Sequence, residues 1–276
     1  MKLCRFRVGD DPTPRSGILH EGRLLETDGQ QPIGTHKPED VSLLAPIPQP
    51  PSYRAFDAFE DHAARVRRRL GREGVPEEWH DAPVFSFGST ASIIGPEAPV
   101  TKPPYTDELD FELEVGIIIG RTGSDIPPAE ADDFILGFTI LNDWTARDLE
   151  RQEGPLGHGA VKAKDFATSL GPCLVTPDSL EDRIVDQARG NRYDLKMEAL
   201  LNGETVCEGN LRDMRWTFAE MIAHASRGVQ LKEGDLIGSG AVGGGCLLEQ
   251  DSGFLQPGDE VTLKVERLGE LTNRIV

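Results

Sequence analysis

Three acidic side chains are spaced two apart in the stretch "DELDFELEVGIIIG", residues 107–120. Successive side chains of a β-strand point to opposite faces, so Asp110, Glu112 and Glu114 would share one face of this strand. Buried carboxylates at that spacing repel one another, and a divalent cation such as Mg²⁺, which prefers carboxylate oxygens, removes the cost. An edge strand with one face in water is the simpler alternative. The spacing therefore predicts either a metal site or a solvated edge.

A second apolar stretch, "FILGFTILND", ends in Asp143. An aspartate at the end of a strand often caps the helix that follows, and a helix is expected here from near Thr145. The same aspartate could instead supply a third carboxylate to a cation. Two acidic signals so close together in the chain favour the metal hypothesis.

Lys164 and His62 are the other side chains whose chemistry fits such a site. Lys164 lies in the polar segment "KAKDFATSLGP" (162–172), where surface solvation is the ordinary interpretation. Beside a metal and a developing enolate it would stabilise negative charge. His62 borders the apolar face of a helix predicted between Phe56 and Leu70. It is either a histidine at the edge of the core or the best-placed neutral base in the chain.

The glycine-rich stretch "GDLIGSGAVGGGC" contains Gly238, Gly240 and Gly243 in a formal GxGxxG pattern. No helical pattern follows it and no βαβ unit surrounds it, so a dinucleotide site is not indicated. Glycines here more simply allow the backbone to approach a ligand closely.

Composition limits the classes of partner. A net charge of −18 and a pI near 4.7 argue against a nucleic-acid partner, which would require a surplus of Lys and Arg. No stretch supplies the roughly 20 apolar residues that a membrane span needs. The charged start, "MKLCRFRVGD", lacks the apolar region of a signal peptide, so a cytoplasmic protein is expected. The four cysteines are scattered, as expected for reduced thiols.

The elements that must position these residues are mostly strands. The pattern predicts a mostly β (α+β) protein with a few helices, one of them over 217–228, and no regular βα alternation. Asn202-Gly203 predicts a two-residue hairpin turn. The proline-rich link "APIPQPPS" is the best boundary, dividing a small N-terminal β-rich domain (1–50) from a larger domain (51–276).

Taken together, these motifs resemble those of the fumarylacetoacetate hydrolase superfamily over about residues 50–270. The motifs that carry the resemblance, in this order, are "DFELEVGIIIG", "LNDWTARDLE", "KAKDFATSLGP", "LLNGE" and "GDLIGSGAVGGGC". The resemblance implies a mixed β-roll with a divalent metal at its mouth, usually in a homodimer.

The resemblance also implies roles for individual residues. The expected metal ligands are Glu112, Glu114 and Asp143. The expected catalytic residues are His62, which activates water, Glu249, which orients the histidine, and Lys164, which approaches the substrate. The expected substrate-binding residues are Arg147, Gly240 and Ala241.

Three positions depart from the family pattern. Ala55 stands where some relatives carry a further aspartate ligand, with Asp57 two places on. Ala241 replaces a frequent threonine of the glycine-rich loop, and Arg65 replaces a glutamate of the small acylpyruvate-cleaving members. Three carboxylates with water still suffice for Mg²⁺, so these changes bear on the reaction more than on the metal.

The leading expectation is an enzyme that hydrolyses a carbon–carbon bond in a 2,4-diketo acid, through an enolate stabilised by the metal. The substrate would be an acylpyruvate or a fumarylacetoacetate-like compound of aromatic catabolism. Mg²⁺ or Mn²⁺ is the expected cofactor, and Ca²⁺ accepts the same ligands. The alternatives are a decarboxylase, isomerase or hydratase of a related 2-oxo acid and, from another class, a metal-dependent binding protein without turnover.

Overall fold

The structure, a computed structural model, describes residues 1–157, 159–250 and 252–276. The described residues form mainly strands, with a few short helices. The α-helices are α1 (Glu60–Arg69), α2 (Arg147–Glu153) and α3 (Phe218–Ala225). The strands are β1 (Lys2–Val8), β2 (Arg15–His20), β3 (Arg23–Thr27), β4 (Pro32–His36), β5 (Val41–Leu44), β6 (Tyr53–Phe56), β7 (Phe85–Phe87), β8 (Ile93–Ile94), β9 (Leu109–Asp110), β10 (Leu113–Ile119), β11 (Ile135–Asp143), β12 (Thr145–Ala146), β13 (Thr168–Val175), β14 (Ile184–Asp186), β15 (Arg192–Tyr193), β16 (Lys196–Leu201), β17 (Glu204–Asn210), β18 (Leu236–Gly238), β19 (Glu260–Val265) and β20 (Gly269–Arg274).

A large mixed sheet organises the molecule. Its strand order is β4-β3-β2-β1-β13-β11-β10-β18-β6-β7, with β5 also paired to β1 and β8 to β13. The pairs β18–β6 and β13–β8 are parallel and the others are antiparallel. A separate antiparallel sheet, β17-β16-β19-β20, packs against β10, β11 and β13. The predicted mostly β class with few helices is confirmed.

Strand β10 is buried on both faces, which explains its continuous apolar run. Val115, Ile117 and Ile119 pack into the main core, whereas Ile118 packs into a second cluster with Tyr53 on the other face. A strand covered on both sides needs apolar residues at every position except where a site requires otherwise. Glu114, fully enclosed on this strand, is that exception.

The N-terminal strands extend the large sheet. Strand β1 pairs with β13, with Lys2 opposite Val175 and Leu3 opposite Leu174. The proline-rich link lies between β5 and β6, as the sequence pattern indicates. The division of the chain into two domains near residue 50 stays a prediction.

The single strand expected through Asp110, Glu112 and Glu114 is wrong, because the chain changes sheets at Phe111–Glu112. Asp110 belongs to β9, which pairs with β12, whereas Glu114 lies in β10, which pairs with β11. Between the two strands, the Glu112 amide donates a hydrogen bond to the side chain of Asn142 at 3.0 Å. The Asn142 side chain thus provides a hydrogen-bond acceptor for the Glu112 amide, which is not paired with a neighbouring strand.

The other local expectations have mixed outcomes. Helix α1 begins at Glu60, so Phe56 lies in β6 and not in the helix. Helix α3 begins with a capping box between Thr217 and Glu220. The Asn202-Gly203 turn is confirmed, with left-handed φ values of 53° and 85° joining β16 to β17.

Candidate active site

Three carboxylates meet where β10 and β11 run side by side. Glu114 lies opposite Leu141 and Leu113 opposite Asn142, which brings Asp143 next to Glu112 at the strand ends. Ligand oxygens of Glu112, Glu114 and Asp143 lie within 4.8 Å of one another, and all three residues are buried. The solvated-edge alternative is therefore wrong. The helix-cap alternative for Asp143 is wrong too, because the N-cap of α2 is Ala146.

The charge state of the cluster follows from burial and from the neighbouring cations. Burial, together with the charges of Asp143 and Glu112, raises the pKa of Glu114 well above its ordinary value. Burial raises the pKa of Asp143 as well, although Lys164 opposes the effect. Burial would also raise the pKa of Glu112, but the charges of Lys164 and Arg147 bring it below its ordinary value. When all three carboxylates are ionised, their negative charge thus exceeds what the neighbouring cations neutralise.

This arrangement fits a hard divalent cation. The donors are carboxylate oxygens, which Mg²⁺, Mn²⁺ and Ca²⁺ all accept. A cation at the cluster would relieve the repulsion that raises the pKa of Glu114. The Glu114 side chain is held in place by the backbone, since its Oε2 accepts a hydrogen bond from the Gly240 amide at 3.0 Å. Glu112, Glu114 and Asp143 are the residues that would hold the ion.

Lys164 lies inside this cluster and not at the surface. Its Nζ donates hydrogen bonds to Oε2 of Glu112 at 2.7 Å, to Oδ2 of Asp143 at 2.8 Å and to Oγ1 of Thr145 at 2.8 Å. The side chain is 15% exposed, so the surface alternative is wrong. Burial lowers the pKa of Lys164, but the charges of Asp143 and Glu112 outweigh it and the pKa rises, which keeps the ammonium charged.

Arg147 connects the cluster to two further carboxylates. Its Nη2 lies 2.8 Å from Glu112, its Nε donates to Asp110 at 2.8 Å, and its Nη1 donates to Glu150 at 2.9 Å. The side chain is 1% exposed. Each guanidinium nitrogen thus faces a carboxylate of the protein, an arrangement that fixes Glu112. The substrate contact expected of Arg147 stays a prediction.

Asp110 is the anchor that the sequence pattern missed. Its carboxylate accepts hydrogen bonds from Arg147 and from the amides of Phe111, Leu247 and Leu248. It therefore ties β9 to the segment that carries Glu249. No local pattern indicates this role, because its partners lie far along the chain.

His62 and Glu249 form a hydrogen-bonded pair beside the carboxylates. Nδ1 of His62 lies 2.7 Å from Oε1 of Glu249, whose other oxygen accepts the Gly244 amide at 2.8 Å. Burial lowers the pKa of His62, but the hydrogen bond and charge of Glu249 more than offset this, so the pKa is raised. Because Glu249 occupies Nδ1, Nε2 is the ring nitrogen left for proton transfer.

One cavity of about 340 Å³ brings these groups together. Its polar lining includes the three carboxylates, Lys164 and Arg147, and its other lining residues include His62, Phe56 and Trp79. Gly240 and Ala241 line the cavity as expected, with Ala241 contributing a methyl group where the family pattern has a hydroxyl. Gly240 has φ +80°, and a Cβ there would lie 2.6 Å from the carbonyl oxygen of Phe56, so only glycine fits.

Asp57 is a further acidic group of this cavity that the sequence pattern did not assign. One of its oxygens faces Nε1 of Trp79 at 3.4 Å, whereas Oδ1 is buried with no hydrogen-bond partner among the described residues. Burial raises the pKa of its carboxyl. Ala55, also on the wall, offers only a methyl group where some relatives have a ligand.

Residues 52–276 match the family described as fumarylacetoacetate (FAA) hydrolase C-terminal. The chain belongs to this family. Residues 1–46 match a second family, described as Rv2993c-like, N-terminal.

Curated relatives are named for tautomerisation. The chain is 29% identical over 270 residues to the mitochondrial oxaloacetate tautomerase FAHD2A of Homo sapiens, covering 96% of this chain and 80% of that protein. It is 31% identical over 238 residues to oxaloacetate tautomerase YisK of Bacillus subtilis, covering 86% of this chain and 73% of that protein.

Solved structures extend the likeness over the whole chain. A fumarylacetoacetate hydrolase from Exiguobacterium antarcticum is 26% identical with a TM-score of 0.78, over 100% of this chain and 99% of that chain. A 5-carboxymethyl-2-hydroxymuconate delta-isomerase from Mycobacterium smegmatis is 28% identical with a TM-score of 0.76, over the same shares.

These likenesses confirm the resemblance found in the sequence. They support an enzyme family that acts on small 2-oxo acids and related compounds, and they do not single out hydrolysis. Among the described residues, no helix is both long and apolar enough to cross a membrane. The homodimer and the cytoplasmic location stay predictions.

Proposed function

We propose that this protein catalyses the metal-dependent interconversion of the keto and enol forms of a 2-oxo acid of the oxaloacetate class. The observation that carries the proposal is the position of His62, which lines the same cavity as the carboxylate cluster and is hydrogen-bonded through Nδ1 to Glu249. A base facing a cation site is the arrangement that proton removal next to a carbonyl needs. The tautomerase names of the relatives from Homo sapiens and Bacillus subtilis support the same reaction class.

Each group of the chain has a part in this scheme. A divalent ion held by Glu112, Glu114 and Asp143 would, when bound, polarise the 2-oxo group and stabilise enolate charge. Lys164 adds a second positive charge beside Glu112 and Asp143.

The proton transfer itself falls to the histidine pair. His62 takes a proton from the carbon next to the ketone through Nε2, and the imidazolium that forms then gives a proton to the ketone oxygen, which yields the enol and restores the neutral histidine. Glu249 stabilises the imidazolium that forms. Phe56 and Trp79 add apolar surface to the cavity, and a less polar surrounding strengthens the electrostatic interactions within it.

The direct test supplies enol-oxaloacetate to the purified protein in Mg²⁺ buffer and follows the keto form with malate dehydrogenase and NADH. We expect a rate well above the uncatalysed one, abolished by EDTA, and a loss of about 10²- to 10⁴-fold in His62→Asn, the usual range for a missing general base. Conversion at the uncatalysed rate with both Mg²⁺ and Mn²⁺ would refute the proposal.

Carbon–carbon hydrolysis of a 2,4-diketo acid is the second candidate, and one observation favours it. The same His62–Glu249 pair is suited to deprotonating water, and a cavity of about 340 Å³ has room for water beside a small substrate. Assays with acetylpyruvate, fumarylpyruvate and fumarylacetoacetate test it by the release of two acids. Release of carbon dioxide from oxaloacetate would identify a decarboxylase instead. No activity in any of these assays would favour a binding protein without turnover.

The cofactor and assembly are part of the same proposal. We propose Mg²⁺ or Mn²⁺ as the physiological ion, with Ca²⁺ as a third ion that the oxygen ligands accept. We propose a homodimer, as is usual in the family. Calorimetric titration with each ion and light scattering of the purified protein test these two statements.

A further inference from the structure

A cation on α1, Arg67, lines the same cavity as the carboxylate cluster. His62, Ala63, Val66 and Arg67 all line it, and their spacing places them on one face of α1. Five residues of helix separate the Cα atoms of His62 and Arg67 by about 7.5 Å along the axis. Arg67 therefore lines the cavity more than one helical turn beyond the base, His62.

Arg67 differs from the other cations of the cavity in the partners of its charged group. The guanidinium of Arg147 and the ammonium of Lys164 are each ion-paired with carboxylates of the protein. Arg67 uses Nε to donate a hydrogen bond to the carbonyl oxygen of Gly74, in the loop that follows the helix. Within the part of the chain that the structure describes, its Nη1 and Nη2 have no hydrogen bond or ion pair.

The surroundings of Arg67 favour a strong interaction with an anion. Val66, Pro76 and Trp79 line the same cavity and contribute apolar surface to it. A half-buried guanidinium with two free nitrogens matches the two oxygens of a carboxylate. The rest of the protein is strongly acidic, so an unpaired cation inside a cavity is best explained by a ligand that supplies the negative charge.

We propose that Arg67 binds the distal carboxylate of the substrate, and that the protein therefore selects dicarboxylic 2-oxo acids over monocarboxylic ones. The inference rests on the proposed function for the placement of the reacting end at the carboxylate cluster. The remote charge then fixes the orientation of the substrate without taking part in proton transfer. Arg67 determines specificity in this arrangement and is not a catalytic residue.

Pairs of unreactive ligands that differ only at the distal end test this inference by binding alone. Malate and 2-hydroxybutyrate share the same 2-hydroxy acid end, and so do 2-hydroxyglutarate and 2-hydroxyvalerate, which are one carbon longer. Calorimetric titration of the Mg²⁺-loaded protein should show about 10- to 100-fold tighter binding of the dicarboxylate in at least one pair, as expected for a charge-assisted interaction shielded from solvent.

Substitutions assign that preference to Arg67. Arg67→Met should abolish it and leave the affinity for the monocarboxylate within about twofold, whereas Arg67→Lys should retain part of it. Arg68→Met is the matched control, because Arg68 is the exposed neighbour on the same helix and does not line this cavity, so the preference should stay that of the wild type.

The inference and the proposed function fail in different ways. No preference for the dicarboxylate in either pair, no binding of any of the four ligands, or a preference that survives in Arg67→Met would each overturn the role of Arg67. A preference that depends on Arg67 in a protein that does not convert enol-oxaloacetate would support the role of Arg67 and refute only the reaction.

Discussion

Nδ1 of His62 lies 2.7 Å from Oε1 of Glu249, although 187 positions separate the two residues in the chain. The glutamate is enclosed and is held in turn by the amide of Gly244. A histidine fixed in this way has one defined tautomer and presents one nitrogen to the cavity. The pair is thus organised before any substrate arrives.

Glu249→Gln should lower kcat/KM by about 10²- to 10⁴-fold and change its pH dependence. In the wild type, the raised pKa of His62 means that activity is lost as the pH falls through a value above the ordinary 6.5 or so. Without the Glu249 charge, burial, the largest of the causes, lowers that pKa against weaker opposing charges on Glu112 and Asp57, so the acid limb should move to lower pH. A pH–rate profile measures the shift, and an acid limb that does not move would contradict the pairing. Glu204→Gln, at an exposed position, is the control.

Glu114→Gln should lower Mg²⁺ affinity by more than about 100-fold, since even the outer partners of metal ligands are worth 10- to 100-fold. Without metal, the variant should be at least as stable as the wild type, because it loses a buried charge that its neighbours repel. Calorimetric titration and thermal unfolding give the two values. Unchanged Mg²⁺ affinity would remove Glu114 from the site, and Glu233→Gln controls for a surface glutamate.

Lys164→Met removes the cation that contacts Glu112 and Asp143. We expect a lower unfolding temperature without Mg²⁺ and a larger rise on adding Mg²⁺ than in the wild type, because binding to the folded state alone stabilises it. The activity of Lys164→Met should fall as well. Thermal scans across a series of Mg²⁺ concentrations measure the effect, and Lys162→Met changes an exposed lysine two positions away. An equal Mg²⁺ response in Lys164→Met and the wild type would show that lysine and metal do not share these carboxylates.

Asp110→Ala should lower the free energy of unfolding by about 3–5 kcal/mol, because it leaves the buried charge of Arg147 without one of its partners. Two loop amides, those of Leu247 and Leu248, lose their acceptor as well. Denaturant unfolding measures the loss. Asp213→Ala, on the surface, should change stability by about 0.5 kcal/mol at most. A loss in Asp110→Ala no larger than in this control would exclude the anchoring role.

Gly240→Ala should weaken both Mg²⁺ binding and the fold. Its Cβ would meet the carbonyl oxygen of Phe56 at 2.6 Å, which displaces the amide that holds Glu114. Gly228→Ala is the matched control, since Gly228 has a similar left-handed φ of 61° and nothing within 4 Å of a Cβ. The control should lose about 1–2 kcal/mol of stability from its backbone alone and keep its Mg²⁺ affinity. Equal Mg²⁺ affinity in both variants would show that the Gly240 contact does not support the site.

Local patterns in the sequence predicted much of the fold. The apolar stretch "FILGFTILND" indicated β11, the Asn202-Gly203 pair indicated a hairpin, and the helix around 217–228 appeared as α3. Each of these features depends on neighbours within a few residues, so the sequence displays it directly. The order of the motifs was specific enough to identify the family before any geometry was known.

The acidic spacing of Glu112 and Glu114 indicated a cation site from the sequence alone, because carboxylates beside an apolar strand need a counter-charge. Only the tertiary structure decided which other groups reach that site. Lys164 is buried among the carboxylates, and Asp110 lies in a separate strand from Glu114 and accepts a hydrogen bond from Arg147. Arg67 lines the same cavity, and among the described residues its Nη1 and Nη2 have no hydrogen bond or ion pair. Pairing between distant strands and the packing of α1 determine these positions. Both depend on residues far apart in the chain, so the pattern of neighbouring residues does not predict them.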